Sequence, residues 1–133
     1  MRLLVQIGLV ALGSAAGGLA RWGVGVGAAR WLGTAFPYGT LIINLSGSLF
    51  LGWFSTVLTE RLLLADGSWV RVADLRLMIA VGFTGAYTTF STFEYEAHGL
   101  LGDGDGLAAM IYVFASVLLG LVAVRCGIVL AKM

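Results

Sequence analysis

The sequence predicts an all-α membrane protein with four transmembrane helices, the third of them broken. Its 133 residues are 59% hydrophobic and only 11% charged, whereas soluble domains carry about a quarter charged residues. The charges are also clustered, so that long stretches contain none of them. These stretches are Leu3–Ala20, Trp31–Thr59, Leu77–Phe93 and Gly106–Val124. Each is close to the roughly 17–25 residues with which a helix crosses a bilayer.

Turn residues and flanking charges predict the helix ends. Pro37 lies where the second helix begins, because the first turn of a helix tolerates a missing N–H. Asp66-Gly67-Ser68 indicates a loop before the third helix, and the Gly/Asp run 102–106 indicates a turn before the fourth. The predicted helices cover residues 3–29, 36–62, 74–100 and 105–131, and the third is broken near 85–89. No linker divides the chain, so residues 1–133 are expected to form a single domain.

The third apolar stretch contains the most informative segment, Gly82–Phe93. It holds two glycines and five serine or threonine residues, and Phe90 and Phe93 lie three apart, on one side of a helix. Irregular backbone at bilayer depth occurs only where it is buried in protein or faces a cavity with water or ions. The segment therefore predicts an ion site. Ring edges suit an anion and ring faces suit a cation, although ordinary packing is the usual role of such aromatic pairs.

Helix two carries a stripe of small and polar residues at intervals of four. Its members are Thr40, Asn44, Ser48, Gly52 and Thr56. Small residues in such a stripe let two membrane helices approach closely, and this interpretation fits Ser48 and Gly52. Asn44 differs, because a primary amide in hydrocarbon must find partners and its NH₂ group offers two donors to an anion. We expect Asn44 to line or support an ion pathway.

Helices one and four carry further polar positions. Tyr112 and Ser116 lie one turn apart and can donate O–H groups to an anion, although an interfacial tyrosine is an equally good interpretation. Arg21 extends to the headgroups, gives a pathway mouth a positive potential or binds neighbouring backbone carbonyls. Glu94 and Glu96 face different sides of a helix, so they do not form a paired catalytic site.

Composition excludes several classes of function. The net charge is +1, so no basic surface indicates a nucleic-acid partner. Cys126 and His98 are the one cysteine and the one histidine, so neither an intrachain disulfide nor a histidine-cysteine metal site is expected. Almost no residues remain outside the predicted spans. A soluble catalytic domain is therefore excluded, and no enzyme activity is expected.

The distribution of Lys and Arg indicates the orientation in the membrane. An even number of spans places both termini on the side of the loop between helices two and three. That side holds Arg2, Arg61, Arg71, Arg76, Lys132 and, if counted, Arg125; the other holds Arg30 and, if counted, Arg21. The excess favours both termini in the cytoplasm.

Four motifs together carry a family resemblance that spans nearly the whole chain. They are Gly17-x-x-x-Arg21, Gly39-Thr40-Leu41-x-x-Asn44-Leu45, the Gly82–Phe93 segment and, more weakly, Tyr112-x-x-x-Ser116. On these motifs the chain resembles the Fluc family, also called CrcB, of small bacterial and archaeal fluoride channels. The combination of a helix break with the phenylalanine pair is the most specific of them.

The resemblance implies an assembly and an activity. It implies an antiparallel, dual-topology homodimer in the bacterial inner membrane, with two fluoride pathways along the subunit interface. Cytoplasmic fluoride would leave passively down its gradient, which lowers its toxicity. A structural Na⁺ on the dimer axis would be bound but not transported. Dimerisation also has a reason of its own, because four slender helices enclose little space.

The resemblance further implies the roles of individual residues. Phe90 and Phe93 would contact fluoride through ring edges, Asn44 would donate an amide hydrogen, and hydroxyls would come from Ser91, Thr92, Tyr112 and Ser116. Arg21 and Glu96 would lie in the vestibule, with Thr40 and Ser48 as supporting polar residues. Backbone carbonyls of Gly85 and Thr88 would bind the Na⁺, because a broken helix frees carbonyls and two subunits would present four oxygens to a hard cation.

Two residues depart from the family pattern. Ala86 replaces the second of two consecutive glycines, which stiffens the break, and Gly120 replaces a second serine. The Lys and Arg excess is larger than dual topology prefers.

A proton-coupled exporter of cationic drugs would need a carboxylate in helix one, and Leu3–Ala20 contains none. A non-conducting scaffold is the remaining alternative, with the polar stripes used for packing only.

Overall fold

The computed structural model describes residues 1–62 and 69–133, with side chains outside 61–71. The predicted loop at Asp66–Ser68 and the side chains of Arg61 and Arg71 therefore lie outside the described part. The α-helices are α1 (Arg2–Leu32), α2 (Tyr38–Val57), α3 (Trp69–Leu75), α4 (Gly85–Tyr87), α5 (Phe90–Gly102) and α6 (Gly106–Lys132). Two π-helical stretches, Leu58–Leu62 and Arg76–Thr84, continue α2 and α3. The elements described are helical, as the fold class predicts.

Three helices in the described residues are long and apolar enough to cross a membrane. They are Arg2–Leu32, Tyr38–Glu60 and Gly106–Lys132. The shortest has 23 residues, which at 1.5 Å per residue is about 35 Å and exceeds the hydrocarbon thickness of about 30 Å. The region Trp69–Gly102, where a further span is expected, consists of shorter helical pieces.

The helix ends differ from the expected ones by a few residues. Pro37 lies just outside α2 as its N-cap, with φ −78° and ψ 57°, and the helix begins at Tyr38. α1 extends to Leu32 and stops at Gly33, whose φ of 81° is a conformation that glycine adopts without steric cost. The third helical region begins at Trp69, before the predicted residue 74. Gly33 was the stop signal that the sequence reasoning missed.

Glycines bring α1 against the second π-helical stretch. A Cβ at Gly13 would collide with the Met78 carbonyl, and one at Gly17 would collide with the Phe83 carbonyl. Within this stretch the Thr84 hydroxyl donates to the Ile79 carbonyl, five residues back, at 3.0 Å. Close backbone approach of this kind is the usual use of small residues between membrane helices. Helix one thereby holds the segment that leads into Gly85.

α2 and α6 run in the same direction and form the most extensive helix pair. Gly52 lies against the Val124 carbonyl, and Gly127 lies against the Leu49 carbonyl. The close-packing interpretation of Gly52 is therefore confirmed. Tyr112 on α6 is fully buried and packs with Phe93 and Ala97 of α5. Of the polar stripe of α2, Thr40 bonds Glu96 of α5 and Asn44 bonds Thr89 at the break, whereas Gly52 packs on α6.

Candidate ion pathway at the broken helix

Thr88 and Thr89 interrupt the third helical region. Their backbones are extended, with φ −80° and ψ 160° at Thr88 and φ −151° and ψ 123° at Thr89. The Thr88 hydroxyl and N–H both donate to the Thr84 carbonyl, at 2.9 and 3.0 Å, and complete the last turn of α4. β-branched residues favour extended backbone, so the Thr-Thr pair gives the break a local cause.

Thr89 also begins α5 as its N-cap. Its Oγ1 accepts the Thr92 N–H at 3.3 Å and its hydroxyl donates to Thr92 Oγ1 at 3.0 Å. Threonine is one of the preferred residues at this position, because its oxygen accepts an N–H that has no partner within the helix. The hydroxyl hydrogen of Thr92 is left for another acceptor. Ser91 and Thr92 are exposed on α5, at the surface of the single chain.

The side-chain amide of Asn44 pairs with the backbone of Thr89. Its Oδ1 accepts the Thr89 N–H at 2.8 Å, and its Nδ2 donates to the Thr89 carbonyl at 3.0 Å. One of the two amide hydrogens is thus bonded to the break, and the other has no partner among the described residues. The sequence predicted an amide beside the pathway, and the structure brings Asn44 and the break into direct contact.

The same hydrogen bonds leave two backbone carbonyls without their helical donors. In a continuous helix the Gly85 carbonyl would accept the Thr89 N–H, and the Thr88 carbonyl would accept the Thr92 N–H. Asn44 Oδ1 takes the first of these donors and Thr89 Oγ1 takes the second. The helical donors of the Gly85 and Thr88 carbonyls are therefore bonded to side chains. These are the two carbonyls that were expected to bind a cation.

The phenylalanine pair divides between the inside and the outside of the chain. The ring centroids of Phe90 and Phe93 are 5.9 Å apart, yet Phe93 is 6% exposed and Phe90 is 73% exposed. Phe93 packs on Tyr112, with centroids 5.1 Å apart. α5 packs against α6 through the helix face that carries Phe93. The Phe90 ring therefore lies at the edge of this helix contact. Sequence spacing placed the rings side by side but could not assign them different surroundings.

Glu96 accepts hydrogen bonds from two predicted pathway residues. Thr40 Oγ1 donates to its Oε1 at 2.9 Å, and the Tyr112 hydroxyl donates to its Oε2 at 2.8 Å. In this arrangement the hydroxyl hydrogen of Tyr112 points to the carboxylate. Tyr112 was expected to offer that hydrogen to fluoride, and Glu96 was expected to lie in the vestibule. In the structure the two residues form one hydrogen-bonded group with Thr40.

Ser116 has a buried hydroxyl whose Oγ has no hydrogen-bond partner among the described residues. Such groups are rare, because burial without a partner removes a hydrogen bond to water. Ser116 lies one helical turn after Tyr112 on α6. An unpaired buried hydroxyl is a donor that an arriving anion could use, as the sequence analysis expected of this residue.

Two concave spaces meet the break. A cleft of about 490 Å³ is bordered by Arg21, Thr40, Thr89, Thr92, Glu96 and Asp103. A cavity of about 250 Å³ is bordered by Asn44, Ser48, Thr88, Thr89 and Phe90. Arg21 and Glu96, the two residues predicted for the vestibule, thus both line the larger space. Ser48 lines the smaller one. Asp103 was missed, because its Gly/Asp surroundings indicated only a turn.

Gly47 is a second residue that the sequence reasoning missed. A Cβ at this position would collide with the Thr88 Cγ2 methyl group. Beside it, the Ser46 and Tyr87 hydroxyl oxygens are 2.8 Å apart. Gly47 lies outside the stripe of residues at intervals of four on α2. Its only signal in the sequence was its place about one turn after Asn44. The structure shows that α2 contacts three consecutive residues at the break.

The apolar helices and the broken third region together describe a multi-pass membrane protein. The chain belongs to the CrcB family: the family described as CrcB-like protein, Camphor Resistance (CrcB), matches residues 8–128. It is 45% identical over 123 residues to the fluoride-specific ion channel FluC of Chloroflexus aurantiacus, with 92% of each chain covered.

Two further relatives carry the same name. The chain is 46% identical to FluC of Acidobacterium capsulatum, over 92% of this chain and 93% of that one. It is 48% identical to FluC of Methylococcus capsulatus, over 92% of this chain but 51% of that one, so it spans about half the length of this relative. The family is one of ion channels rather than enzymes.

Proposed function

We propose that this protein is a fluoride-selective channel through which cytoplasmic fluoride leaves passively, down its electrochemical gradient. The observation that carries the proposal is a pair of donors without partners among the described residues, one on Asn44 at the break and one on Ser116 of α6. The rings of Phe90 and Phe93 lie next to the break with centroids 5.9 Å apart, and their edges would be further contacts for an anion. An ion that sheds water must find replacement partners, and a site that supplies donors admits anions. Relatives at 45% identity and above are named for fluoride.

The larger cleft is the proposed vestibule. Among the described residues, Arg21 is the one basic residue that borders it, beside the carboxylates of Glu96 and Asp103, and it would attract an entering anion. Within the cleft, the Thr40 and Tyr112 hydroxyls donate to Glu96 and stabilise its carboxylate. Fluoride would pass from this space, with Thr92 at its border, toward Phe93 and Ser116. Selectivity would come from close donors that suit a small halide better than chloride.

An antiparallel homodimer is the proposed assembly. The broken third region, Trp69–Gly102, would form the fourth crossing. A single chain leaves Phe90 and the polar residue Ser91 exposed near the break, where lipid offers no hydrogen bonds. A second copy of opposite orientation would cover this face and create two symmetric pathways. We place the dimer in the bacterial inner membrane.

A structural Na⁺ fits the oxygens at the break. The Gly85 and Thr88 carbonyls lack their helical donors, and a hard cation prefers oxygen ligands. Two such carbonyls from each subunit would surround the ion. When bound, Na⁺ would supply positive charge near the anion pathways without being transported. No cluster of His, Cys, Asp or Glu in the described residues suggests another metal position.

Flux from liposomes tests the proposal. Purified protein is reconstituted into vesicles loaded with potassium fluoride or potassium chloride, and efflux begins when a potassium ionophore removes the opposing voltage. Rapid fluoride release with little chloride release is expected, and protein-free vesicles are the control. Equal release of chloride would contradict selectivity, and absence of release would favour a scaffold. Release that requires a proton gradient would point to an exporter instead of a channel.

A further inference from the structure

We infer that Asn44 is a positioning residue that holds the helix break open, in addition to any contact it makes with an ion. It does so by binding both polar groups of the Thr89 backbone, which keeps the Gly85 carbonyl available to a cation. The statement about the cation rests on the proposed function. The statement about the backbone conformation does not, so the two can be tested separately.

The geometry at Thr89 requires a side chain with one donor and one acceptor. In an extended residue the N–H and C=O point to the same side, and a neighbouring strand normally binds both. Thr89 is extended, with φ −151° and ψ 123°, and Asn44 supplies the acceptor at 2.8 Å and the donor at 3.0 Å. The amide thus takes the place of a strand neighbour. A carboxylate could accept only, and an aliphatic side chain could do neither.

Removing Asn44 would leave the Thr89 N–H without a partner. The nearest alternative acceptor along the chain is the Gly85 carbonyl, because a helical turn would join the two. A partly buried backbone N–H without a partner is destabilising, and this favours a local rearrangement that supplies one. We therefore expect loss of Asn44 to shift residues 88 and 89 toward helical backbone and to occupy the Gly85 carbonyl.

Neighbouring residues of α2 position the two residues before Thr89. Gly47 leaves room for the Thr88 methyl group, and a Cβ there would collide with it. The Ser46 hydroxyl oxygen lies 2.8 Å from that of Tyr87. Both contacts are compatible with the extended backbone at the break, but neither binds the Thr89 N–H or C=O group. Asn44 alone of the three contacts determines where those groups point.

The test is nuclear magnetic resonance of the full chain in nanodiscs, without fluoride and with N-methyl-D-glucamine in place of Na⁺. In Asn44→Leu, a side chain of similar size, the ¹³Cα and ¹³Cβ shifts of Thr88 and Thr89 should move from extended toward helical values. The Gly85 carbonyl shift should also lose its response to added Na⁺. Phe93→Ile is the control, since it alters the proposed ion contact and should leave these shifts in place. Unchanged Thr88 and Thr89 shifts in a folded Asn44→Leu protein would overturn the inference.

A backbone substitution keeps the inference testable if Asn44→Leu fails to fold. Replacing Thr89 with its α-hydroxy acid converts the amide between residues 88 and 89 to an ester, which removes the Thr89 N–H and weakens the Thr88 carbonyl as an acceptor. The ¹³Cβ shift of Thr88, a carbon whose bonded neighbours are unchanged, should move toward its helical value as in Asn44→Leu. Combining both changes should move it no further, because Asn44→Leu already removes the bond to this N–H. Independent, additive responses would contradict the inference. Both readouts are taken without fluoride, so a failure of fluoride conduction leaves them intact.

Discussion

The Tyr112 hydroxyl donates to Glu96 Oε2 at 2.8 Å, and this bond joins α6 to α5 directly beyond the break. Tyr112 is the one large side chain that is fully buried among the described residues. Its ring also packs against Phe93 and Phe36. The tyrosine therefore supports the Phe93 ring and the Glu96 carboxylate at once, which links the proposed vestibule to the aromatic pair.

Tyr112→Phe should destabilise the protein while preserving the ring contacts. It removes one of the two donors to the Glu96 carboxylate, and hydrogen bonds to charged groups contribute about 1.5–3 kcal/mol. Denaturation of the purified protein in detergent measures the loss. Tyr38→Phe is the matched control, because Tyr38 is 40% exposed and lies outside this group. Equal stability of both variants would show that the Glu96 bond contributes nothing.

Phe93→Ile should lower fluoride flux at least tenfold and leave the dimer intact. Isoleucine keeps apolar bulk but has no ring edge, and a tenfold loss corresponds to about 1.4 kcal/mol of barrier. Vesicle efflux measures the flux, and chromatography in detergent measures the assembly. Phe114→Ile removes a ring that is 62% exposed on α6 and should leave flux unchanged. If Phe93→Ile conducts normally, the ring has no part in the pathway.

Ser116→Ala should lower fluoride flux without lowering stability. The hydroxyl has no partner among the described residues, so its removal breaks no hydrogen bond and relieves the cost of burying a polar group. Efflux and denaturation are measured on the same preparation, with the exposed Ser55→Ala as control. A marked loss of stability would mean that Ser116 is bonded within the fold and is not a free donor.

Gly17→Ala should disrupt the packing of α1, and Gly18→Ala should not. A Cβ at Gly17 collides with the Phe83 carbonyl, whereas a Cβ at Gly18 meets nothing within 4 Å. Overpacking of this kind costs about 1–3 kcal/mol, because the backbone must move. The fraction of protein that elutes as a single folded species from detergent chromatography compares the two. Similar elution would indicate that α1 approaches the π-helical stretch less closely.

Much of the fold follows from local features of the sequence. Charge-free stretches predicted the apolar helices, since a membrane span must exclude charge over its length. Glycine, serine and threonine residues predicted an interruption near 85–89, and the extended residues are Thr88 and Thr89. The π-helical stretch Arg76–Thr84 was not expected. It packs against Gly13 and Gly17 of α1, and apolar periodicity carries no signal of that contact.

The candidate site was predictable as a set of residue types but not as a set of bonds. Asn44 was chosen because a primary amide in hydrocarbon needs partners, and Tyr112 because its O–H group can donate to an anion. The place of Glu96 in the vestibule came from the family resemblance. Which partner each one has depends on distances between helices. Thr40 and Glu96 are 56 positions apart in the chain and yet 2.9 Å apart in space. The same holds for Asn44 and Thr89, 45 positions apart.

By itself the sequence determined the helical membrane class, the location of the break and the identity of the polar residues around it, because these depend on local composition and spacing. Tertiary structure alone decided that Asn44 binds the Thr89 backbone, that Tyr112 and Thr40 bind Glu96, and that Ser116 keeps a free hydroxyl. The reason is physical: each hydrogen bond needs two atoms within about 3 Å. Helix packing sets that separation for residues far apart in the chain.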